Sequence, residues 1–390
     1  MLVGLLVLGA IAAVVGWIAR LSGWRFALRR LAGLVLVVVA VTFATTALLR
    51  QVPGDPCATA LGTATTDESL AACRADRGLD DSVVQQYGRW AGDVISGDLG
   101  PAQYRNDIAL TEVLAQRAPR SLWLFAYSQL IALGLAVPLG VWSAYQADRP
   151  PRPMSRSRIG VAAALLVALG VAGGWSVPAL VLAVGVVPVV VFNLARGGNA
   201  ADRTVNAVAF ALLALPVFVL GETLRWVFAI QRDWYDLAGY RPWSAGVGAH
   251  LASVWLPALV LGLAACPVYL RLLRADMVQN LREDYVAVAR AKGLPDRHIL
   301  VRHVLRPSTV TLLTVVGLSI GQMVNGAIVV EFIYDFDGIG SYLVEAVNAR
   351  ELFPVQTLVA MVAVLFVLAN TVLDVAYTAV DPRVRAEALP

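Results

Sequence analysis

The chain has 390 residues, 58% hydrophobic and only 15% charged, with a net charge of +4 and a mean hydropathy of +0.70. A soluble protein carries about 25% charged residues, so the composition excludes a water-soluble globule and places much of the surface in lipid. Apolar runs reach the roughly 20 residues that a membrane-crossing helix needs. The two-residue alternation of an outer-membrane barrel is absent, and the reading is an all-α polytopic membrane protein.

Nine apolar stretches are candidate spans, at 2–19, 28–50, 119–145, 159–173, 176–195, 204–230, 250–272, 309–332 and 353–380. The first lacks the basic leader and the cleavage site of a signal peptide and reads as a retained span. The short stretch 159–173 turns at Gly173-Gly174 into the next one, as a hairpin. Lys and Arg in short loops set orientation. Arg20, Arg25, Arg29 and Arg30, then Arg149, Arg152, Arg156 and Arg158, then Arg196 and Arg203, then eight Lys/Arg in 271–306, and finally Arg383 and Arg385 all fall on one side of nine spans. That side is the cytoplasm, with the N-terminus outside and the C-terminus inside. The small excess of positive charge is explained by topology, and no basic face is interleaved with stacking aromatics as nucleic-acid binding would need.

The opposite side receives 51–118 and the shorter 231–249 and 333–352. The long segment is expected to be a small folded cap. Thr66-Asp67-Glu68-Ser69 has the form of a helix start, and Asp81 to Ser96 carries apolar residues at helical spacing. Cys57 and Cys73 both lie in this segment, where disulfides persist. A bridge between them would close a loop worth about 3 kcal/mol. The alternative is two unpaired thiols. Cys266 lies in a span.

Between two late spans runs a basic, helix-forming stretch, DYVAVARAKGLPDRHILVRHVLRPS, Asp284 to Ser308. Tyr285 to Lys292 is a helix with alanines at 287, 289 and 291. Gly293 is placed to stop it in a left-handed cap, and Pro295 prevents continuation. A second helical run, Arg297 to Leu305, leads to Pro307 and the next span. A short helix with small residues on one side can lie close against a partner, with Arg290, Lys292 and Arg297 meeting acidic groups there. The competing reading is an ordinary interfacial amphipathic helix.

Polar residues inside spans are expensive and therefore candidates for function. Glu222 and Arg225 are three residues apart in 204–230, and are either pore-lining or a self-satisfied pair near the outer interface. Gln322 and Asn325 lie in the span that leads out to Glu331, and either line a pathway or bond between helices. Asp374 pairs with a neighbouring cation near the inner end of the last span. There is no Gly-x4-Gly-Lys-Ser/Thr phosphate loop, no His-Glu-x-x-His and no Gly-x-Ser-x-Gly. His250, His298 and His303 have no ligand spacing. The chain is read as neither an enzyme nor a metal protein.

The 284–308 stretch resembles the coupling loop of ABC importer permeases. In that motif a Glu-Ala-Ala, three residues, Gly, nine residues and Ile-x-Leu-Pro follow in order. Gly293 is its glycine, Ala287-Val288-Ala289 stands for Glu-Ala-Ala, and Leu305 is its leucine. His303 replaces the isoleucine, and Pro307 falls one place late. These departures resemble the dipeptide/oligopeptide (peptide/nickel) branch. Further landmarks of that branch follow in order, from Val52-Pro53-Gly54-Asp55-Pro56 through Gly78-Leu79-Asp80-Asp81, Gln86-Tyr87, Trp90 and Gly97-Asp98-Leu99-Gly100. Val329-Val330-Glu331-Phe332, Gly338-Ile339-Gly340 and Asp381-Pro382-Arg383-Val384-Arg385 complete the set.

The resemblance covers about 25–150 and 204–385. It implies a six-helix type I importer permease core, of the first (B-type) subunit, in a prokaryotic plasma (inner) membrane. Residues 1–24 are then an extra N-terminal helix and 155–200 an inserted hairpin. The core has its first helix at 25–50, the cap at 51–118, the second helix at 119–150 and the rest at 204–385, with the coupling loop at 273–308. Asp284, Tyr285, Ala289, Arg290, Lys292, Gly293 and Leu294 are the implied ATPase-coupling residues. The implied partners are a second homologous permease, two ATPase subunits or one fused ATPase that hold ATP and Mg, an extracellular substrate-binding protein, and the lipid bilayer. No cofactor is expected on this chain. The alternative is a secondary transporter or channel subunit not coupled to ATP, but no convincing inverted repeat is visible.

Overall fold

A computed structural model describes residues 24–51, 55, 57–58, 66–76, 79–103, 106–149, 199–237 and 239–380. The expected span at 2–19, the hairpin within 155–198 and the C-terminal landmark at 381–385 lie outside the described residues. The chain divides into two compact units, Met1–Leu122 with Asp337–Pro390, and Trp123–Phe336.

The described part of the first unit is built on two long apolar helices, α1 (Trp24–Leu49) and the C-terminal α11 (Leu352–Val380), which pack along one another. Buried Gln356 donates its amide to Thr46 between them. Outside the spans, α2 (Asp67–Asp76) starts at a reciprocal Thr66–Ser69 pairing. Amphipathic α3 (Val83–Ser96) starts at a Ser82/Gln85 capping box and stops at left-handed Gly97. α3 buries Trp90, whose indole N–H donates to Thr357 (3.1 Å), and sets Tyr87 against Thr42 (3.1 Å) and Phe43. Cys57 and Cys73 are disulfide-bonded, with Cα atoms 5.9 Å apart. Beside the bridge, Arg74 Nε donates to Asp55 (2.8 Å). A two-stranded ribbon, β1 (Pro101–Gln103) with β2 (Asn106–Ala109), then leads into α4 (Leu110–Ala147).

Leu110 and Leu114 at the start of α4 are buried with Ile339, Tyr342 and Ala346 of α10 (Ile339–Asn348) and with Val355 and Leu358 of α11. Arg117 and Arg120 both reach Asp337 (3.1 and 2.5 Å), which itself sits at a positive φ of 58°. These contacts draw the first turns of α4 out of the loop to which the sequence assigned them. The expected span at 119–145 is therefore part of a 38-residue helix that begins at Leu110, inside the segment 51–118.

In the second unit, α7 (Val247–Asn280) is the central helix: 56% of its membrane window is buried, against 17% for that of α1. It packs on α5 (Ala200–Ala214), α6 (Val217–Arg225) and α9 (Leu305–Ile333). A Cβ at Gly262 would lie 2.7 Å from Ile131 and 3.0 Å from the Ser128 carbonyl. A residue without a side chain is thus required where α7 meets α4, as small residues are at membrane helix contacts. A buried polar knot ties the three long helices. Tyr269 O–H bonds Gln129 (3.1 Å) and Ser319, and Gln129 donates to Met323 Sδ (2.9 Å).

Two expectations are corrected here. The stretch 204–230 is not one straight span: α5 and the helix from Val217 to Gln231 meet at a bend of 100°. Pro216 is the cause, since it lacks the N–H that would continue the ladder and pushes the preceding residue out of the helical region. Second, the expected helical run at 297–305 is present but is not separated from the span at 309–332 by Pro307. It runs from Asp296 through a widened π turn, Ile299–Val304, straight into α9. The π turn relaxes the ladder just where a proline ring would clash with the carbonyl four residues back.

Candidate coupling and translocation site

The stretch expected to be the coupling loop lies between the ends of α7 and α9. α7 runs on past its apolar part to Asn280, so residues 273–280 of the expected loop are helix. After a turn at Leu281–Glu283, α8 spans Asp284–Ala291. Its N-cap, Glu283, makes no side-chain bond to the helix start. Its C-terminus is closed by the backbone: Gly293 N–H reaches the Arg290 carbonyl (2.9 Å) and Leu294 N–H the Ala289 carbonyl (3.2 Å), with Gly293 at φ 75°. That is the Schellman pattern, in which a left-handed glycine satisfies two orphan carbonyls.

One face of α8 is anchored. Val286 is fully buried and Ala289 nearly so, packed in the core with Met277, Leu281, Ile299, Leu300 and Val304. Polar ties surround this anchor. Asn280 donates to Asp276 (3.1 Å) and Ser308 (3.1 Å), and receives the Tyr285 hydroxyl (3.3 Å). Arg290 pairs with Asp148 just beyond α4, and Tyr145 donates to Asp296 (3.1 Å). Burial, reinforced by the carboxylates of Glu283 and Asp276, pushes the Tyr285 phenol above its ordinary range, so it serves as a neutral donor.

The other face is open. Asp284, Tyr285, Ala287, Val288, Ala291, Lys292 and Gly293 are exposed, with Val288 at 53%. Of the expected coupling residues, Ala289 is buried rather than partner-facing, while Arg290 is exposed but already paired. Ala289 points into the chain's own core, because a small side chain lets α8 sit down on the α7 and α9 ends. Arg290, expected to meet an acidic partner, already has Asp148.

The candidate pathway residues separate into three places. Glu222 and Arg225 form a local pair on α6 (2.9 Å), both partly exposed. Gln322 and Asn325 lie on an exposed stripe of α9 with Leu318 and Phe332, which are 71% and 61% exposed. Glu331 is 1% exposed and, half a helical turn around from Gln322, belongs to the opposite, packed face. The Tyr269–Gln129–Ser319 knot and the Asp202–Arg274 pair were not singled out by sequence reasoning. Their only signal is polar residues recurring inside apolar runs.

Residues 185–386, just over half of the chain, match the family described as the binding-protein-dependent transport system inner membrane component. Residues 23–107 match the N-terminal membrane component of the same systems. The chain belongs to this family. It is a permease subunit of the ABC importers, in the peptide branch. It is 28% identical to a probable peptide ABC transporter permease of Sinorhizobium fredii, over 92% of this chain and 99% of that one. Against the glutathione transport permease GsiC of Salmonella paratyphi A the identity is 27%, over 92% and 98%. Against the dipeptide transport permease DppB of Alkalihalophilus pseudofirmus it is 26%, over 92% and 99%. The permease is thus a helical, multi-pass inner-membrane protein. Its main family match begins at residue 185, inside the 155–200 segment read as an insertion, while residues 1–22 and 108–184 lie outside both family matches.

Proposed function

We propose that this permease couples ATP hydrolysis on separate subunits to the import of peptides or similar small solutes, through the open face of α8. The observation that carries the reading is the two-faced mounting of that helix. Val286 and Ala289 lock it to the ends of α7 and α9, while Ala287, Val288 and Ala291, flanked by Tyr285, present a small, apolar surface outward. A helix held in this way passes a push on its outer face directly to two membrane helices. An ATPase that closes on ATP and Mg and opens after hydrolysis then imposes a population shift on the spans.

In this reading α8 and the loop 281–304 are cytoplasmic, the segment around α3 and α10 is extracellular, and the chain begins outside and ends inside. A second homologous permease, as partner of this B-type subunit, completes one pathway, and an extracellular binding protein delivers the solute. Gln322 and Asn325 on the exposed stripe of α9 are the residues best placed to line that pathway. Glu222 and Arg225 form a local pair rather than a binding site, and Glu331 holds α9 in place from its packed side. The chemistry of ATP belongs wholly to the partner subunits.

The test is uptake in cells together with co-purification. Gly293→Asp, which puts a side chain and a charge at the left-handed stop, is expected to abolish uptake while the protein still reaches the membrane. Wild-type permease is expected to retain an ATPase through affinity purification. If no ATPase is ever retained and Gly293→Asp transports normally, the coupling reading fails and a transporter independent of ATP takes its place.

A further inference from the structure

Near the end of α7 that runs toward α8, a groove of about 490 Å³ opens between α5 and α7, walled by Asn206, Phe210, Val268, Arg271 and Leu272 among others. Two arginines meet it in different states. Arg274 gives both arms of its guanidinium to Asp202 (2.5 and 2.7 Å). The same carboxylate also accepts from Ser143 Oγ (2.5 Å) and the Asn206 amide (2.9 Å). That charge is neutralised within the protein. Arg271 has no carboxylate partner among the described residues. Its guanidinium carbon stands 4.1 Å from the centroid of the Phe210 ring, and the residue is exposed. Phe210 and Leu272 beside it are 38% and 41% exposed.

An apolar trough that ends in an uncompensated cation has the chemistry of a phospholipid turned inside out. Basic pockets between membrane helices select anionic headgroups. A planar guanidinium matches a phosphate through two parallel hydrogen bonds, and its stacking on Phe210 aligns that fork at the mouth of the groove. We propose that this groove binds an anionic phospholipid, with the phosphate on Arg271 and an acyl chain along Phe210, Val268 and Leu272. Arg274 and Asp202 form the closed floor that holds α5 to α7, so the lipid braces the joint between the bent α5–α6 pair and the central helix. The proposed function supplies only that this end of α7 faces the cytoplasmic leaflet.

The experiment is native mass spectrometry of the purified, delipidated permease with its partner subunits, titrated with phosphatidylglycerol or phosphatidylcholine. Phosphatidylglycerol is expected to be retained preferentially. Arg271→Gln should lower that retention about fivefold, the worth of one basic residue at an anionic membrane surface. Arg282→Gln, which removes an exposed charge just past the end of α7, should leave it unchanged. Arg271→Lys keeps the charge but loses the fork, and should fall between wild type and Arg271→Gln. Because Arg271 is exposed, the variants are expected to unfold at the wild-type temperature in lipid-free detergent. Should Arg271→Gln not fold, the Arg271→Lys and Arg282→Gln comparison decides alone. Equal retention of the two lipids, equal loss in the Arg282 variant, or complete displacement by inorganic phosphate would overturn the proposal, as would a groove that another subunit covers in the complex. No uptake or ATPase measurement enters, so failure of the coupling reading would leave this result standing.

Discussion

Two of the short helices outside the spans, α3 and α8, are stopped by the same device and started by opposite ones. Each ends in a left-handed glycine, Gly97 at φ 87° and Gly293 at φ 75°, with paired backbone bonds to the carbonyls behind it. At its start α3 has a complete capping box, and its unit also carries the Cys57–Cys73 bridge and a buried, hydrogen-bonded Trp90. α8 has no side-chain cap and no cross-link, and is held by two buried residues and a ring of polar ties. The first of these helices is fastened from several directions at once. The other is fastened on one face only and left open on its second, the mounting that the proposed lever requires.

A matched pair of substitutions strains this comparison hardest. Gly97→Ala and Gly293→Ala impose the same left-handed penalty of about 1 kcal/mol or more. Both should lower thermal stability to a similar small extent, yet only Gly293→Ala should cut uptake several-fold. Equal uptake in the two variants would erase the distinction between the helices. Next in size is the disulfide. Cys57→Ser with Cys73→Ser should destabilise the external unit by about 3 kcal/mol by freeing its unfolded chain, seen as faster proteolysis between α1 and α3. Alkylation without reductant should leave both cysteines of the wild type unlabelled.

Smaller effects belong to the polar ties. In a double-mutant cycle, Arg290→Ala and Asp148→Ala should show a coupling below about 1 kcal/mol, since both side chains are partly exposed. The charge-swapped pair should restore uptake if the tie only positions α8. The smallest effect is that of Asp55. Burial alone would raise its carboxyl, but the Arg74 hydrogen bond, the Cys57 N–H and the Arg74 charge outweigh this and hold it below the ordinary range. With the folded value depressed, its stabilisation is present above the ordinary carboxylate range and is lost as the pH falls through the lowered one. Asp55→Asn should flatten that acid limb in a thermal melt by a fraction of a kcal/mol.

Much of the core was legible because its signals are local. An apolar run of span length is visible without any partner, and so were the glycine stop at 293, the start of α2 at Thr66–Ser69 and the alanine-rich composition of α8. The failures share a cause. The first turns of α4 read as loop because Arg117, Arg120 and their polar neighbours look solvated until Asp337, far along the chain, supplies their partner. The 204–230 stretch read as one span because hydropathy registers apolarity but not direction, and Pro216 changes only direction. Ala289 looked outward-facing because a short helix shows its periodicity but not which of its faces is covered, and Arg290, though exposed, has an acidic partner within the chain in Asp148.

The sequence by itself therefore determined that the chain is a many-helix membrane protein, that α8 stops at Gly293, and to which family its ordered landmarks point, since each depends on residues adjacent along the chain. Only the tertiary structure decided which face of α8 is free, that Arg274 is satisfied by Asp202 while Arg271 has no carboxylate partner among the described residues, and that Gln322 and Glu331 point opposite ways on one helix. Those outcomes depend on which distant group arrives to cover or to pair a side chain, and no local pattern carries that information.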